Sequence, residues 1–306
     1  MSDKYRLVTR SDFDGLVCAV LLKELDLIDD IVFVHPKDMQ DGLVEISGRD
    51  ITTNLPYVSE AHMAFDHHHS ETIRNQGTAD NHIIDGDAPS AARVVYDYYG
   101  GAERFPTVST EMMDAVDKAD SAMYELNDII YPERWALLNF VMDARTGLGR
   151  FRDFRISNYQ LMMELIEHCR TASINEILEL PDVKERTELY MEHDAPFKEQ
   201  IKRCATQVGK VVILDLRSED VIFAGNRFMI YALYPDAEVS VHVLWGKQKQ
   251  NTVFAVGKSI INRDSHHNIG ELMLEYGGGG HRKAGTCQVS HEDAERVLGE
   301  IVDRLQ

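Results

Sequence analysis

Two acidic side chains near the start of the chain have the spacing of metal ligands. Asp12 and Asp14 lie in the polar turn SDFDG, directly after an apolar segment at residues 5–10. Carboxylates at positions i and i+2 of a tight turn can reach a common point from one side, and hard divalent cations bind oxygen ligands of this kind. The same residue types are also common in turns that bind nothing. The pattern therefore allows either a metal site or a plain polar turn.

A run of imidazoles follows a later apolar segment. The sequence FDHHHS places Asp66 beside His67, His68 and His69. Three adjacent histidines fit poorly in a core, because every buried ring nitrogen needs a polar partner. A mixed set of oxygen and nitrogen ligands suits manganese, iron or magnesium better than calcium. We predict a metal site at this segment, which Asp120, at the end of a predicted helix, could complete.

A glycine-rich segment followed by cationic side chains stands in the second half of the chain. Residues 277–280 are all glycine, and His281, Arg282 and Lys283 follow them. Glycine lets the backbone approach a ligand closely, and successive N–H groups can form an anion-binding nest. A flexible turn is the alternative interpretation. We predict a phosphate-binding loop whose contacts are Gly278, Gly279, Gly280, His281 and Arg282.

The predicted secondary structure brings the two acidic segments together. Residues 5–10 and 31–34 are apolar strands, and the residues between them have helical spacing. A strand, a helix and a strand within about thirty residues indicate a parallel sheet. Two further short strands are predicted near 49–52 and 62–65. Because ligands bind outside the carboxyl ends of parallel strands, we expect the Asp12 turn and the histidine run to lie close together.

The spacing of apolar residues differs in the rest of the chain. Residues 107–206 are predicted to be almost entirely helical, after which a period of two begins. The later predicted elements are strands at 211–216, 239–245, 252–258 and 284–289, and helices at 266–276 and 290–305. We predict an α/β protein with an N-terminal parallel-sheet lobe and helices on both faces at 1–190. A helical connection at 191–206 and a smaller α/β lobe with a mixed sheet at 207–306 complete the prediction.

The net charge limits the class of binding partner. Thirty-two Lys and Arg residues oppose 51 Asp and Glu residues, which gives a formal charge of −19. Such a surface repels long nucleic acid, whereas a small phosphate-bearing substrate needs only a local cationic patch or a bound cation.

Cysteine usage and hydropathy indicate the compartment. The four cysteines are scattered without C-x-x-C spacing, and no apolar run is long enough for a membrane span or a signal peptide. We expect a cytoplasmic protein that does not enter a membrane. A homodimer is one oligomeric state that the sequence leaves open.

Taken together, these motifs resemble those of the DHH phosphoesterase superfamily. The matching segments are D-x-D-G after the first strand, the DHH triplet after a later strand, and D-S at the end of a helix. GGGGH-x-x-AG resembles the signature of the DHH-associated C-terminal domain. The resemblance implies two lobes that enclose a two-metal site, usually with manganese, which activates water to attack phosphorus. It also implies that His281 and Arg263 contact substrate phosphate, and that His68 faces the substrate as a phosphate contact or an acid.

Two positions depart from the family pattern. Arg10 stands where relatives commonly have a histidine, and Asn54 where they carry a bridging aspartate, with Asp50 the nearest carboxylate. An arginine has no acceptor and stays charged, so it cannot bind a cation. We therefore hypothesise a reduced site in which Asp14, His67 and Asp120 hold one ion and Arg10, paired with Asp12, takes the place of the other. The candidate ligands for one or two ions of manganese or magnesium are Asp12, Asp14, Asp66, His67 and Asp120, with Asp50 or Asn54 as further candidates. Arg10 and His68 are the candidate catalytic residues.

The resemblance predicts a metal-dependent phosphohydrolase. Its substrate would be a small anionic phosphoester or phosphoanhydride, such as a short oligonucleotide, a dinucleotide or polyphosphate. The alternative hypothesis, motivated by Arg10 and Asn54, is a non-catalytic protein that binds or senses a nucleotide or phosphate with an incomplete metal site.

Overall fold

The chain divides into two compact units. The computed structural model describes residues 4–68 and 79–306. The first unit comprises Met1–Tyr124, Glu133–Ala144 and Phe151–Glu188, and the second comprises Glu125–Pro132, Arg145–Arg150 and Leu189–Gln306. The second unit thus combines the continuous segment after residue 188 with two short earlier segments.

A parallel five-stranded sheet forms the centre of the first unit. Its strands are β1 (Tyr5–Arg10), β2 (Ile28–Val34), β3 (Asp50–Thr53), β4 (Met63–Asp66) and β5 (His82–Ile84). Their order is β2-β1-β3-β4-β5, and every neighbouring pair is parallel. The predicted strand–helix–strand start and the parallel sheet are confirmed. The carboxyl ends of β1, β3 and β4 therefore lie along one edge of the sheet.

A buried helix follows β1 directly. Helix α1 (Phe13–Glu24) buries residues 13–22 completely or nearly so, because its sequence is apolar on every face rather than along one stripe. It packs against three other helices of the unit, at Ala91–Tyr98, Thr110–Asp120 and Asn158–Thr171. The helices of the first unit are α1, α2 (Pro36–Gln40), α3 (Ala91–Tyr98), α4 (Gly101–Arg104), α5 (Thr110–Asp120), α7 (Arg134–Met142), α8 (Asn158–Thr171) and α9 (Ile174–Leu178).

A mixed six-stranded sheet forms the second unit, as predicted. Its strands are β6 (Ala205–Val208), β7 (Val211–Asp215), β8 (Val239–Trp245), β9 (Thr252–Lys258), β10 (Gly279–His281) and β11 (Ala284–Val289), in the order β10-β11-β9-β8-β7-β6. Only β7 and β8 are parallel. Alternate side chains such as Val241, Val243 and Phe254 are buried against two helices. The remaining helices are α6 (Leu126–Ile130), α10 (Pro181–Cys204), which spans the border between the units, α11 (Met229–Leu233), α12 (Ile269–Glu275) and α13 (Ala294–Leu305).

The glycine-rich segment is not the loop that the sequence predicted. Gly279 and Gly280 belong to β10, which pairs with β11 in a tight antiparallel hairpin. A Cβ atom on Gly278 would lie 2.0 Å from the carbonyl oxygen of Thr286, and one on Gly280 would lie 2.3 Å from that of Ala284. Gly280 also has a φ of +156°, a conformation that L residues rarely adopt. Close backbone approach within the hairpin is therefore sufficient reason for glycine at these positions.

No helix among the described residues is both long enough and apolar enough to cross a membrane.

Candidate metal centre

The turn between β1 and α1 fixes the first two carboxylates. Asp12 is the N-cap of α1, and its Oδ1 accepts a hydrogen bond from the backbone N–H of Gly15 at 3.0 Å. A Cβ on Gly15 would lie 2.0 Å from the carbonyl oxygen of Arg10, so only glycine fits this turn. Asp14 follows in the first helical turn and is 1% exposed.

The N-terminus of a second helix holds the carboxylate of Asp14. The backbone N–H of Ala91 donates to Oδ2 at 3.0 Å, and that of Ala92 donates to Oδ1 at 2.7 Å. Both N–H groups belong to the first turn of α3, where the helix dipole favours an anion. Ser90 caps this helix and donates its hydroxyl to Asp117 at 2.6 Å. A buried carboxylate is thereby held in one orientation.

The end of β4 supplies the imidazoles. Nδ1 of His67 donates to the carbonyl oxygen of Ala88 at 3.2 Å, because a carbonyl can only accept. In the neutral ring this bond leaves the lone pair on Nε2, which is the arrangement usual for a metal-binding histidine. Nδ1 of His68 donates to Oδ1 of Asp66 at 2.7 Å, and the same oxygen accepts from the backbone N–H of His67 at 2.9 Å.

Three of the predicted ligands converge on one point. Nε2 of His67 lies 2.9 Å from Oδ2 of Asp120 and 3.9 Å from Oδ2 of Asp14. One donor atom from each of these residues lies within 4.8 Å of the other two, and this is the only such group of three or more among the described His, Cys, Asp and Glu residues. Two carboxylate oxygens and an imidazole lone pair aimed at one point need a cation between them, so the donor set fits a divalent ion.

The pKa values of Asp14, His67 and Asp120 also show that positive charge is favoured at this point. Burial, together with the charge of Asp120, raises the pKa of Asp14 to about 8. Burial disfavours the charged ring of His67, but the contacts with Asp120 and Asp14 outweigh it and raise the pKa of His67 to about 9. Burial likewise opposes ionisation of Asp120, yet the neighbouring imidazole lowers its pKa overall. Protons therefore take the place of a cation when none is bound.

A guanidinium and an amide surround Asp12, which lies outside the convergent group. Nε of Arg10 lies 3.0 Å from Oδ2 of Asp12. Nδ2 of Asn54, at the end of β3, donates to Oδ1 of Asp12 at 3.2 Å and to Oδ2 at 3.4 Å. Oδ1 of Asn54 is buried without a hydrogen-bond partner. Asn54 also has a φ of +56°, a left-handed conformation that asparagine tolerates better than most residues.

Asp50, one of the candidate ligands, lies at the opposite end of the sheet from the site. Asp50 begins β3, so it lies at the amino end of the sheet, whereas the site lies at the carboxyl end. Its Oδ1 accepts from Nε of Arg6 at 2.6 Å, and its Oδ2 accepts from the backbone N–H of Ser47 at 2.7 Å. Asp50 is therefore a structural anchor for β1 and β3.

The other predicted residues lie in three places. Asp66 is buried beside the histidines but does not join the convergent group, and its Oδ2 has no hydrogen-bond partner. His69 lies outside the described residues. The predicted substrate contacts belong to the second unit; these are Gly278, Gly279, Gly280, His281, Arg282 and Arg263.

The sequence did not reveal the backbone groups that complete the site. These are the carbonyl of Ala88 and the N–H groups of Ala91 and Ala92, since backbone atoms carry no residue-type signal. Ser90, the N-cap of α3, marks the helix start that presents these N–H groups.

Comparison with known proteins shows the family. No protein-family model matches the chain, and a comparison with curated proteins finds no match. Among solved structures, one protein is 62% identical to this chain, with a TM-score of 0.88 over 99% of both chains. That protein is a member of the DHH phosphoesterase superfamily. This chain therefore belongs to the DHH phosphoesterase superfamily, and it is an enzyme of the phosphoester hydrolase class. The similar structure is that of the pGpG-specific phosphodiesterase PggH from Vibrio cholerae.

Two more distant structures have the same superfamily assignment. CDC45 from Entamoeba histolytica is 9% identical, with a TM-score of 0.49 over 97% of this chain and 94% of that one. RecJ from Thermus thermophilus, solved with Mn²⁺, is 12% identical, with a TM-score of 0.49 over 96% of this chain and 51% of that one. At these TM-scores neither similarity bears on the function of this chain.

Proposed function

We propose that this chain is a divalent-metal-dependent phosphodiesterase that hydrolyses pGpG, a linear dinucleotide. The observation that carries the proposal is the 62% identity to PggH, which extends over 99% of both chains and so includes both units. The convergent group of Asp14, His67 and Asp120 supports it, because phosphodiester hydrolysis needs positive charge at the phosphate and an activated water.

The proposed ligands of the ion are Asp14, His67 and Asp120. A divalent cation held there would acidify a bound water and offset negative charge on the phosphate oxygens. The chain's own part is to fix the ligands before the substrate arrives. The N–H groups of Ala91 and Ala92 hold Asp14, and the carbonyl of Ala88 sets the tautomer of His67.

His68 is the proposed general acid. Burial disfavours its charged form, but the hydrogen bond to Asp66 outweighs this and raises the pKa of His68. The ring therefore stays protonated at a higher pH than an ordinary histidine. Its Nδ1–H is engaged by Asp66, so Nε2 is the nitrogen that would give a proton to the leaving oxygen of the scissile phosphodiester.

The second unit carries a basic cluster, defined here as Lys258, Arg282 and Lys283. The backbone N–H of Lys258 donates to the carbonyl oxygen of Lys283 at 2.9 Å, which places the two residues side by side. Burial and the charges of Arg282 and Lys283 lower the pKa of Lys258. Within the described part of the chain no carboxylate forms an ion pair with any of the three, although the chain carries a charge of −19. We propose that this cluster, with His281, binds the phosphate groups of the substrate.

Turnover of defined substrates by the purified full chain tests the proposal. With Mn²⁺ present, we expect hydrolysis of pGpG to mononucleotide, resolved by chromatography, and little release of phosphate from polyphosphate. His67→Ala should lower kcat/KM by on the order of 10³-fold, because a ligand of the ion is lost. His62→Ala is the matched control, since His62 is an exposed histidine that stacks on Tyr5 away from the group. Failure to cleave pGpG with any divalent ion would refute the proposal.

The basic cluster needs its own variant. Lys283→Ala should raise KM for pGpG several-fold with little change in kcat. The reason is that the lysine would bind the substrate equally in the ground state and in the transition state, so its removal weakens both to the same extent. Lys247→Ala removes an exposed lysine from the turn between β8 and β9 and serves as the control. An equal KM for the two variants would show that the cluster does not bind substrate.

A further inference from the structure

The carboxylate of Asp12 is already engaged by groups of the fold. The backbone N–H of Gly15 and the amide of Asn54 donate to it, and the guanidinium of Arg10 forms an ion pair with it. A carboxylate binds a cation through the same lone pairs that accept hydrogen bonds. The fold fixes all three partners, since Arg10 ends β1, Gly15 lies in the first turn of α1 and Asn54 follows β3. The charge of Asp12 is therefore offset by Arg10 rather than by a metal ion.

One divalent ion and one guanidinium offset three carboxylates at the carboxyl edge of the sheet, and the fourth, that of Asp66, accepts a hydrogen bond from the ring of His68. The carboxylates of Asp14 and Asp120 offset the two charges of one divalent ion. The carboxylate of Asp12 is offset by Arg10, 3.0 Å away. Asn54 is neutral, so it cannot act as the bridging anion that a pair of dications requires to reduce their repulsion. A second divalent ion beside Arg10 would meet a fixed positive charge.

We infer that the chain binds a single divalent ion, and that the guanidinium of Arg10 supplies the second positive charge at the substrate phosphate. The inference rests on the proposed function for the identity of the substrate. A guanidinium suits this role because it stays charged and its planar array of N–H groups matches two phosphate oxygens. Arg10 is about one-third exposed, and among the described residues Asp12 is the one carboxylate within 4.0 Å of it.

Asn54 has a second role in this arrangement. Its Nδ2 is committed to Asp12, and its buried Oδ1 has no hydrogen-bond partner. Burial of an amide oxygen without a hydrogen-bond partner lowers the stability of the fold. Binding of that oxygen to a cation would remove this penalty. Asn54 therefore presents a neutral oxygen beside Asp12, where the family pattern has an anion, and a neutral oxygen does not offset the charge of a second ion.

The number of bound ions tests the inference without reference to activity. The full-length chain is stripped with a chelator, loaded with excess Mn²⁺, passed through a desalting column and analysed for metal by mass spectrometry. We expect one ion per chain for the wild type and none retained by His67→Ala. Two tightly bound ions in the wild type would overturn the inference, and this readout does not depend on whether any variant folds.

The role of Arg10 needs a second measurement on the same samples. Arg10→Ala should keep one ion but turn over pGpG ~10²- to 10³-fold more slowly, a loss typical of removing one preorganised charge. Free guanidinium ion should restore part of the rate to Arg10→Ala. Arg104→Ala, which removes an exposed arginine at the end of α4, should leave the ion count and the rate unchanged.

The outcomes separate the inference from the proposed function. Wild-type turnover by Arg10→Ala, with one ion bound, would overturn the role of the guanidinium while leaving the proposed function intact. Retention of the ion and of full activity by His67→Ala would instead overturn the proposed metal site.

Discussion

His67 shows how neighbouring atoms decide the chemistry of one side chain. The carbonyl of Ala88 holds Nδ1, and two carboxylates face Nε2 at 2.9 Å and 3.9 Å. The ring can satisfy these carboxylates in two ways, by holding a proton on Nε2 or by giving its lone pair to a metal ion. Metal and protons therefore compete for the same atoms.

This competition predicts that metal stabilises the fold more at high pH. The metal-free fold keeps Asp14 protonated up to a pKa of about 8 and His67 up to a pKa of about 9, whereas the unfolded chain loses these protons near pH 3.8 and 6.5. Folded chains thus bind more protons than unfolded ones between those limits, so the stability of the metal-free protein falls as pH rises through this range. A bound ion removes the need for these protons.

Melting temperatures measured with EDTA and with Mn²⁺ check this prediction. We expect the increase in Tm caused by Mn²⁺ to be larger at pH 8.5 than at pH 6. His67→Ala should show little increase at either pH. An increase of the same size at both pH values in the wild type would contradict the competition between metal and protons.

The positions of strands and helices were predicted correctly where the local sequence pattern was strong. The turn after β1, His67 and His68 after β4, and the strands β8 and β9 lie where hydrophobic periodicity and turn residues placed them. Asp50 was misplaced because sequence proximity does not distinguish the two ends of a strand. Four residues of β3 separate Asp50 from the site edge, a distance of about 13 Å at 3.3 Å per residue. The glycine hairpin was missed because glycine is found both in turns and where two backbone segments approach closely.

The β1–α1 turn gives a prediction at the scale of the element. Gly15→Ala should lower the free energy of unfolding by about 3 kcal/mol or more, because the new Cβ would lie 2.0 Å from a backbone oxygen that cannot move aside. Gly299→Ala is the control, since that helical glycine has nothing within 4 Å of its Cβ position. Alanine there should stabilise the protein by about 0.5–1 kcal/mol.

Urea denaturation of both variants and the wild type measures these differences. A Gly15→Ala protein as stable as the wild type would show that the turn can rearrange and that the position of Asp14 is not fixed by it.

The whole molecule presents a negative field to any polyanion. With a charge of −19, the chain should bind long duplex DNA poorly, and a dinucleotide should reach the site because it carries few charges. Long duplex DNA, added at the same nucleotide concentration as pGpG, should inhibit turnover less than about twofold at low salt. Strong inhibition that disappears as salt is raised would show a basic channel for long nucleic acid, against this prediction.

The parallel sheet, the mixed sheet and the convergent trio could be predicted from one sequence because each depends on residue type and spacing. The ion count could not, because it depends on what surrounds Asp12, and only coordinates show that Gly15, Asn54 and Arg10 all contact its carboxylate.

An anomalous difference map recorded at the manganese absorption edge, from crystals grown with Mn²⁺, tests the metal centre most directly. We predict one strong peak in coordination contact with the carboxylates of Asp14 and Asp120 and with Nε2 of His67, and no peak beside Arg10. A map whose manganese peak lies elsewhere and leaves these three side chains without an ion would contradict the proposed centre.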